Sequence, residues 1–287
     1  MLQIIKFFTF SIFLFLSFLF SSLLKIYFID VGQGDAAFVI TPNSYTMLID
    51  AGDLDEFHDH GKDVYRFIKK QLGINKIDVA IISHPHKDHI GGMIYVLSNM
   101  KVEKFYDPGF SYPSPLYLKL LELVNKKKVK YYLARGETYI NLDPAVEIKI
   151  LYPPKNFVLD KPNDNSVVLR IKYKEISLLF TGDIEANAEK FIFKKYKKRN
   201  NNITSNILKV PHHGSNTSST YQFIQLVSPE IAIISCGRNN RFGHPHYTVL
   251  KRYKEYGIEI FRTDINGTIE ILIDGKDYKI NKFVYRD

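Results

Sequence analysis

The chain has 287 residues, of which 45% are hydrophobic, 24% charged and 14% aromatic. This composition excludes an intrinsically disordered chain and a fibre, and the length allows one large α/β domain or two packed halves. Because Cys236 is the single cysteine, an intrachain disulfide and a cysteine-rich zinc module are excluded, so any metal must be held by histidine and carboxylate. The net charge of +9 favours anionic partners such as nucleic acid, anionic lipid or a phosphorylated polymer.

The N-terminal segment is apolar. Eighteen uncharged residues run from Phe7 to Leu24, flanked by Lys6 and Lys25. A segment of this length can just span a bilayer as a helix, and it also suits the apolar region of a secretory signal. Residues 1–24 are therefore expected to be a signal peptide or a single transmembrane anchor, and residues 25–287 an exported globular domain.

Short runs rich in Val, Ile, Phe and Tyr alternate with turn residues over the rest of the chain. The predicted strands are 26–31, 36–40, 45–50, 78–83, 146–152, 166–173, 176–181, 207–210, 231–235, 259–262 and 268–273. The predicted helices are 64–71, 92–98, 115–125, 185–198, 217–227 and 247–256. Early strands follow one another and later ones alternate with helices, which predicts an α/β (α+β) fold with mixed sheets covered by helices.

The stretch SHPHKDHIGG follows a buried strand and carries four metal-ligand side chains within six residues, His84, His86, Asp88 and His89. Ligand sites are expected at such strand ends. Imidazole and carboxylate without thiolate favour zinc, manganese or iron. The stretch therefore predicts a metal site.

Further polar groups come at the ends of later strands, as a composite site requires. ISLLFTGD ends in Asp183, which could be a helix N-cap, a ligand or both, and LKVPHHGS supplies His212 and His213. RFGHPH supplies His244 and His246. The loop DLDEFHDHGKD, which holds His58 and His60, is interpreted as a solvated insertion rather than a further metal site.

These motifs resemble the metallo-β-lactamase fold superfamily, whose HxHxDH signature the residues from His84 to His89 match letter for letter. More narrowly, FIDVGQGDAAFVI, MLIDAGD, SHPHKDHIGG, NDNSVVLRI, LLFTGD, LKVPHHGS and GHPH, in this order, resemble the hydrolase domain of the ComEC/Rec2 competence proteins. The resemblance covers about residues 24–275. It implies a four-layer αβ/βα sandwich with two mixed sheets and a site for two divalent ions, Zn or Mn, between the halves.

The resemblance also implies a ligand set. His84 and His86 would hold the first ion, Asp88 and His89 the second, Asp183 would bridge them, and His244 would complete the second ion, with His246 as the alternative. Many superfamily members have one more histidine on the first ion. Here the corresponding stretch is NDNS, so that ligand is missing or is replaced by Asp164.

Two ions roughly 3.5–4 Å apart can activate a bridging hydroxide and clamp a phosphodiester. Asp88, His212 and His213 are the expected catalytic residues, and either histidine could protonate the departing oxygen. Asp50 and His246 are expected to hold a ligand in place without contacting an ion.

The sequence therefore predicts an exported, binuclear metal-dependent hydrolase, a phosphodiesterase or nuclease that acts on DNA or another anionic phosphodiester polymer. The alternative is a hydrolase of another exported ester, such as a phosphocholine or teichoic-acid phosphodiester, a lactone or a β-lactam. A non-catalytic module with structural metals is the third class. An uncleaved leader would add the membrane as a partner, and protein partners are unknown. A basic run, Lys194, Lys195, Lys197, Lys198 and Arg199, could contact nucleic acid or could simply complement a helix dipole.

Overall fold

A computed structural model describes residues 23–54, 58–157, 159–198 and 203–283. In this part of the chain the first sheet has eight strands, which are β1 (Leu24–Phe28), β2 (Ala37–Ile40), β3 (Thr46–Ile49), β4 (Lys76–Ile81), β5 (Lys101–Asp107), β6 (Lys130–Leu133), β13 (Thr268–Ile273) and β14 (Tyr278–Phe283). The second has six, which are β7 (Glu147–Tyr152), β8 (Val168–Tyr173), β9 (Ile176–Phe180), β10 (Ile207–Lys209), β11 (Ile231–Ile234) and β12 (Glu259–Arg262).

Both sheets are mixed. The order in the first is β14-β13-β1-β2-β3-β4-β5-β6, with parallel pairing from β3 to β6 and antiparallel pairing elsewhere. The order in the second is β12-β11-β10-β9-β8-β7, with parallel pairing from β9 to β12. The predicted pair of mixed sheets is thus confirmed.

Helices cover the outer face of each sheet. The described helices are α1 (His60–Arg66), which continues as a π-helical turn (Phe67–Gln71), α2 (Lys87–Ile90), α3 (Met93–Asn99), α4 (Pro115–Lys126), α5 (Ala186–Lys198), α6 (Tyr221–Val227), α7 (Tyr247–Glu255) and α8 (Thr263–Asn266). One apolar core lies between the sheets, a second lies under α1, α3 and α4, and a third lies under α5, α6 and α7. Three cores between four layers confirm the predicted αβ/βα sandwich.

Three strands of the structure were not predicted from the sequence. β5 and β6 fall where no strand is predicted, and β14 follows the last predicted one. β6 is exposed at all four positions, so it lacks the alternation of buried and exposed residues on which strand prediction depends. β5 carries three charged residues before its buried end, Phe105–Asp107, which masks its apolar positions. Tertiary pairing, rather than local sequence, specifies these strands.

The predicted leader lies almost wholly outside the described residues, which begin at Leu23. Within the described ranges no helix combines the length and the apolarity needed to cross a bilayer. β1 starts at Leu24, one residue before the predicted domain boundary.

One sheet edge of each half carries the polar motifs. β4 and β9 both run toward this edge, and the stretches SHPHKDH and TGD leave them there. Because β9 and β10 are parallel, α5 must run back to the opposite edge. The basic run at the C-terminal end of α5 is therefore remote from the polar edge. Lys195 in this run pairs with Glu137 at 3.3 Å, and Arg199 lies outside the described residues.

A buried carboxylate in α5 holds the loop that follows HHGS. Glu189 is fully buried and accepts hydrogen bonds from the backbone N–H groups of Ser219, at 2.5 Å, and Thr220, at 2.8 Å. In a Glu189→Gln variant the amide NH₂ would face one of these donors. We expect the free energy of unfolding to fall by about 1–3 kcal/mol, because a buried donor loses its acceptor. Denaturant unfolding measures this loss.

The matched control is Glu103→Gln, which changes an exposed carboxylate that pairs with Lys101 on the surface. Its unfolding free energy should stay within about 0.5 kcal/mol of the wild type. Equal losses in the two variants would contradict the role assigned to Glu189.

Candidate metal centre

The loop after β4 presents its histidines in two directions. His84 and His89 are fully buried, and their rings lie 4.2 Å apart between centroids. His86 is half-buried, with its ring 4.6 Å from that of His84. The Ser83 hydroxyl lies 3.1 Å from Nδ1 of His84 and 3.2 Å from Nδ1 of His89. This contact leaves the Nε2 atoms of both rings directed away from Ser83.

Four side chains from three loops converge at the polar edge, namely Asp88, His89, Asp183 and His213, here called the histidine–aspartate cluster. Asp183 Oδ2 lies 3.2 Å from His89 Nε2 and 3.4 Å from His213 Nε2. Asp88 Oδ2 lies 3.3 Å from His213 Nε2. His84 Nε2 adjoins the cluster, 3.9 Å from Asp183 Oδ2. The structure thus brings Asp183 next to the HxHxDH loop.

The cluster contains polar atoms whose bonding is incomplete. Among the described residues no group makes a hydrogen bond to Nε2 of His84, His89 or His213, to Nδ1 of His244 or to Oδ1 of Asp183, although all these atoms are buried. Buried polar atoms are normally paired, since each unmade hydrogen bond costs about 1–3 kcal/mol. Convergent imidazole nitrogens and carboxylate oxygens are the donor set of divalent transition metals. These residues therefore fit a metal ion.

Backbone strain directs the two histidines of HHGS. His212 has φ 50° and His213 has φ 53°, in the left-handed region that non-glycine residues avoid. Such conformations cost about 1–3 kcal/mol each and persist where the surroundings determine them. His213 is held by its Nδ1 atom, which lies 2.9 Å from the Ser235 carbonyl. The two rings consequently point in different directions, His213 into the cluster and His212 to its rim.

His212 is 20% exposed, and its ring contacts a hydroxyl group and a carboxylate outside the cluster. Its Nδ1 lies 3.1 Å from Oγ1 of Thr217 and 3.4 Å from a carboxylate oxygen of Glu185. Its Nε2 faces Asp183 Oδ2 at 3.9 Å. The contacts at Nδ1 thus orient the imidazole so that Nε2 faces the cluster.

Asp50 contacts the His89 ring of the cluster at Nδ1, the nitrogen that faces away from Asp183. Its Oδ2 lies 2.9 Å from His89 Nδ1, and its Oδ1 accepts a hydrogen bond of 2.7 Å from the Ser83 N–H. Through these contacts Asp50 orients the His89 imidazole, and its support of a metal ligand stays a prediction.

A buried lysine neutralises the carboxylates beneath the cluster. Lys209, at the end of β10, is 3% exposed and forms an ion pair with Asp35. Its Nζ also donates to the Gly182 carbonyl at 3.2 Å. Burial opposes protonation of Lys209, but Asp35 and Asp183 outweigh it and raise its pKa. For Asp183, burial acts upward, yet His213 and His89 hold its pKa well below the ordinary value.

Two glycines let the loops approach one another. Gly182 has φ 50°, and a Cβ there would lie 2.7 Å from Cβ of Ser166 and 2.9 Å from Cβ of Ser83. At Gly34, with φ 136°, a Cβ would lie 2.3 Å from the Asp88 carbonyl oxygen. Any larger residue would push the Asp183 or the VGQGD loop off the HxHxDH loop.

His244, the predicted final ligand of the second ion, lies at the rim of the cluster rather than within it. Its ring centroid is 5.6 Å from that of His212 and 6.1 Å from that of His213. Burial and the imidazoles of His213 and His212 lower the pKa of His244 to about 4, so the ring is neutral at neutral pH. His246 lies farther out, where its Nδ1 accepts from the Asn216 N–H at 3.3 Å.

Asp164, the suggested replacement for the missing first-ion ligand, forms hydrogen bonds with a helix in the structure. Its Oδ1 accepts hydrogen bonds from the backbone N–H groups of Glu185, at 3.2 Å, and Ala188, at 3.4 Å. These are groups at the start of α5, so Asp164 caps that helix. The carboxylate faces the helix, and we leave Asp164 out of the proposed ligand set.

Glu185, Thr217 and Lys209 were not predicted as site residues from the sequence. Lys209 carries a detectable signal, because it is a lone charge inside the apolar run NILKVP. Glu185 and Thr217 carry none, since an acid and a hydroxyl in polar turns are ordinary surface residues.

A second group of possible ligands lies apart, near the start of α1. Asp63 Oδ2 is 2.5 Å from His58 Nε2 and 3.3 Å from His60 Nδ1. His58 is half exposed, as a solvated insertion predicts, whereas His60 is only 18% exposed. His58 forms a hydrogen bond with Asp63, whereas no group among the described residues makes one to the buried Nδ1 of His60.

Comparison with known proteins gives one family and several relatives. A family model described as the metallo-beta-lactamase superfamily matches residues 29–238. The ComE operon protein 3 of Bacillus subtilis is 32% identical over 255 residues, which cover 84% of this chain and 32% of that protein. The competence protein ComA of Neisseria gonorrhoeae is 29% identical over 244 residues, covering 84% and 31%. The chain thus spans about a third of the length of these relatives.

Solved structures share the fold at low identity. CmlA, a diiron beta-hydroxylase from Streptomyces venezuelae, superposes with a TM-score of 0.55 at 11% identity, over 91% of this chain and 54% of that one. A putative metal-dependent hydrolase from Parabacteroides distasonis gives 0.50 at 14% identity, over 84% and 93%. Both comparisons show the architecture alone.

Proposed function

Because the chain belongs to the metallo-beta-lactamase superfamily of metal-dependent hydrolases, we propose that it is an exported, binuclear phosphodiesterase that cleaves DNA. The observation that carries the proposal is the set of buried nitrogens and oxygens, from His84, His89, His213 and Asp183, that face one another without hydrogen-bond partners in the described residues. Such an arrangement is unfavourable in itself and becomes favourable when cations are bound.

The proposed ligand set differs at one position from the sequence-based one. His84 and His86 would hold the first ion, and Asp88, His89 and His213 the second, with Asp183 between them. His213 takes the place that the sequence analysis assigned to His244, because its Nε2 lies within 3.4 Å of both carboxylates. When bound, two divalent cations activate water and neutralise the charge on a phosphodiester.

The protein residues then provide orientation and proton transfer. Asp50 fixes the His89 ring, and Ser83 fixes that of His84, through the Nδ1 contacts described above. His212 is placed to donate a proton from Nε2 to the departing oxygen, and Glu185 stabilises the charged ring from the Nδ1 side. His244, neutral and at the rim, is placed to donate a hydrogen bond to a phosphate oxygen.

DNA is proposed as the substrate from two facts. One relative is named a competence protein, which we associate with the uptake of DNA by bacteria, and the net charge of this chain is +9. The apolar segment from Phe7 to Leu24 supports export.

A substrate panel tests the proposal. The full-length chain, purified in detergent and loaded with Mn²⁺ or Zn²⁺, should cleave single- or double-stranded DNA and should lose this activity in EDTA. The same preparation is offered bis-p-nitrophenyl phosphate, a lactone and a β-lactam. Intact DNA together with turnover of one of the other esters would overturn the choice of substrate, and turnover of none would overturn the hydrolase assignment.

A further inference from the structure

An exposed phenylalanine stands beside the candidate centre. Phe242, in the loop between β11 and α7, is 47% exposed. Its ring is nearly parallel to that of His244, at 20° and 5.6 Å between centroids. The Arg241 guanidinium lies 4.9 Å from the same ring. Single exposed apolar residues are common, so the position of Phe242, rather than its exposure, distinguishes it.

The loop that carries Phe242 is held by one side chain. The Asn240 amide nitrogen donates to the carbonyls of Gly237, at 2.9 Å, and His244, at 2.6 Å. Its Oδ1 accepts from the N–H groups of Phe242, at 3.2 Å, and His244, at 3.0 Å. Four hydrogen bonds from one amide fix the backbone on both sides of the ring. Phe242 is therefore presented in a defined place, as a preorganised binding surface requires.

A polar cleft adjoins the loop. It has a volume of about 470 Å³, within the usual range for ligand sites, and it extends from Arg238 and Arg262 to His244. Arg262 is engaged by Asp264, at 3.0 and 2.6 Å. In the described part of the chain neither Arg238 nor Arg241 forms an ion pair, so both can meet an anion. Arg238 lines this cleft, whereas Phe242 and Arg241 lie in the same loop without lining it. The loop thus carries one aromatic ring and two cations.

The loop is directly connected to the candidate centre. The ring of His244 packs on Phe242 and lies 5.6 Å from the ring of His212, the proposed proton donor. A ligand that stacks on Phe242 would therefore have its neighbouring group at the rim of the histidine–aspartate cluster.

We propose that residues 237–245 form a nucleobase subsite, in which an unpaired base replaces the Arg241 guanidinium on the Phe242 ring, while Arg238 and the released Arg241 contact the flanking phosphates. This inference rests on the proposed function and deepens it, since it specifies a single strand as the substrate. A stacked base and a basic groove are the two elements that proteins use to bind single strands without reading sequence. In a duplex the faces of the bases are covered by their neighbours, so a flat ring on the rim can serve only an unpaired base.

Fluorescence anisotropy with labelled oligodeoxynucleotides tests the subsite without turnover. Binding is measured in EDTA to the full-length chain, with a thymidine oligonucleotide and with an abasic oligonucleotide of equal length and charge. The wild type should bind the thymidine strand on the order of tenfold more tightly than the abasic one. Phe242→Trp should retain this ratio, because tryptophan offers a larger ring. Phe242→Leu should bind both strands equally, because leucine keeps the apolar bulk without the flat face.

Tyr256→Ala is the matched control. Tyr256 is 46% exposed, but it lies at the C-terminal end of α7, the end remote from His244, and the ratio should be unchanged in this variant. A ratio near one in the wild type, or an undiminished ratio in Phe242→Leu, would overturn the subsite. Cleavage of DNA by the loaded wild type in the panel above would in that case leave the nuclease proposal standing. An absence of cleavage would remove the nuclease proposal independently of the binding ratio.

Discussion

Asp183→Asn is expected to reduce hydrolysis by about a thousandfold or more and to lower the metal content from two ions per chain to one or none. Asp183 is the carboxylate that faces His89 at 3.2 Å and His213 at 3.4 Å, with His84 and His212 both at 3.9 Å. An amide of the same shape lacks the negative charge that two cations need between them. The loss corresponds to several kcal/mol of transition-state stabilisation. Elemental analysis and steady-state kinetics measure the two effects.

Asp164→Asn is the matched control for this variant. The Asn side-chain oxygen can still accept the hydrogen bonds from Glu185 and Ala188, and asparagine is a good helix cap. Metal content and activity should therefore stay close to the wild type. Loss of an ion from Asp164→Asn would restore Asp164 as a ligand, and full metal content in Asp183→Asn would remove Asp183 from that role.

His213→Ala and His244→Ala should behave differently. His213→Ala should lose one ion and nearly all activity, because its Nε2 lies within 3.4 Å of Asp88 and Asp183 and is otherwise unpaired among the described residues. His244→Ala should keep both ions and lose about ten- to a hundredfold in turnover, as expected for one hydrogen-bond donor to the reacting group. Elemental analysis separates the two variants even where both have low activity. The reverse result, with an ion lost only from His244→Ala, would favour the ligand set that the sequence motifs imply.

Local motifs predict this site better than distant ones do. The HxHxDH residues lie within one loop, so their proximity follows from sequence alone. The proposal of His213 in place of His244 depends instead on two successive left-handed residues, which no periodicity reveals. The role of Asp164 is equally hard to predict from sequence. An acid can accept hydrogen bonds from the start of a helix or bind a metal ion, and the position of α5 relative to Asp164 distinguishes the two.

The layers were predictable for a related reason. Strands buried on both faces, such as β9, are continuous apolar runs, and their alternation with helices indicates the second half of the sandwich. β5 and β6 lack such runs because one begins with charged residues and the other lies exposed at the edge of its sheet. Their existence follows from pairing with β4, which sequence patterns do not show.

The direction of β1 has a consequence for how the enzyme would meet its substrate. β1 and β3 are both antiparallel to β2, and β3 is parallel to β4, so β1 is parallel to β4. Leu24, at the start of β1, therefore lies at the rim opposite the histidines that follow β4. Whatever precedes Leu24 reaches the domain from that far side. If the chain before β1 were anchored in a bilayer, the histidines at the opposite rim would face away from the lipid.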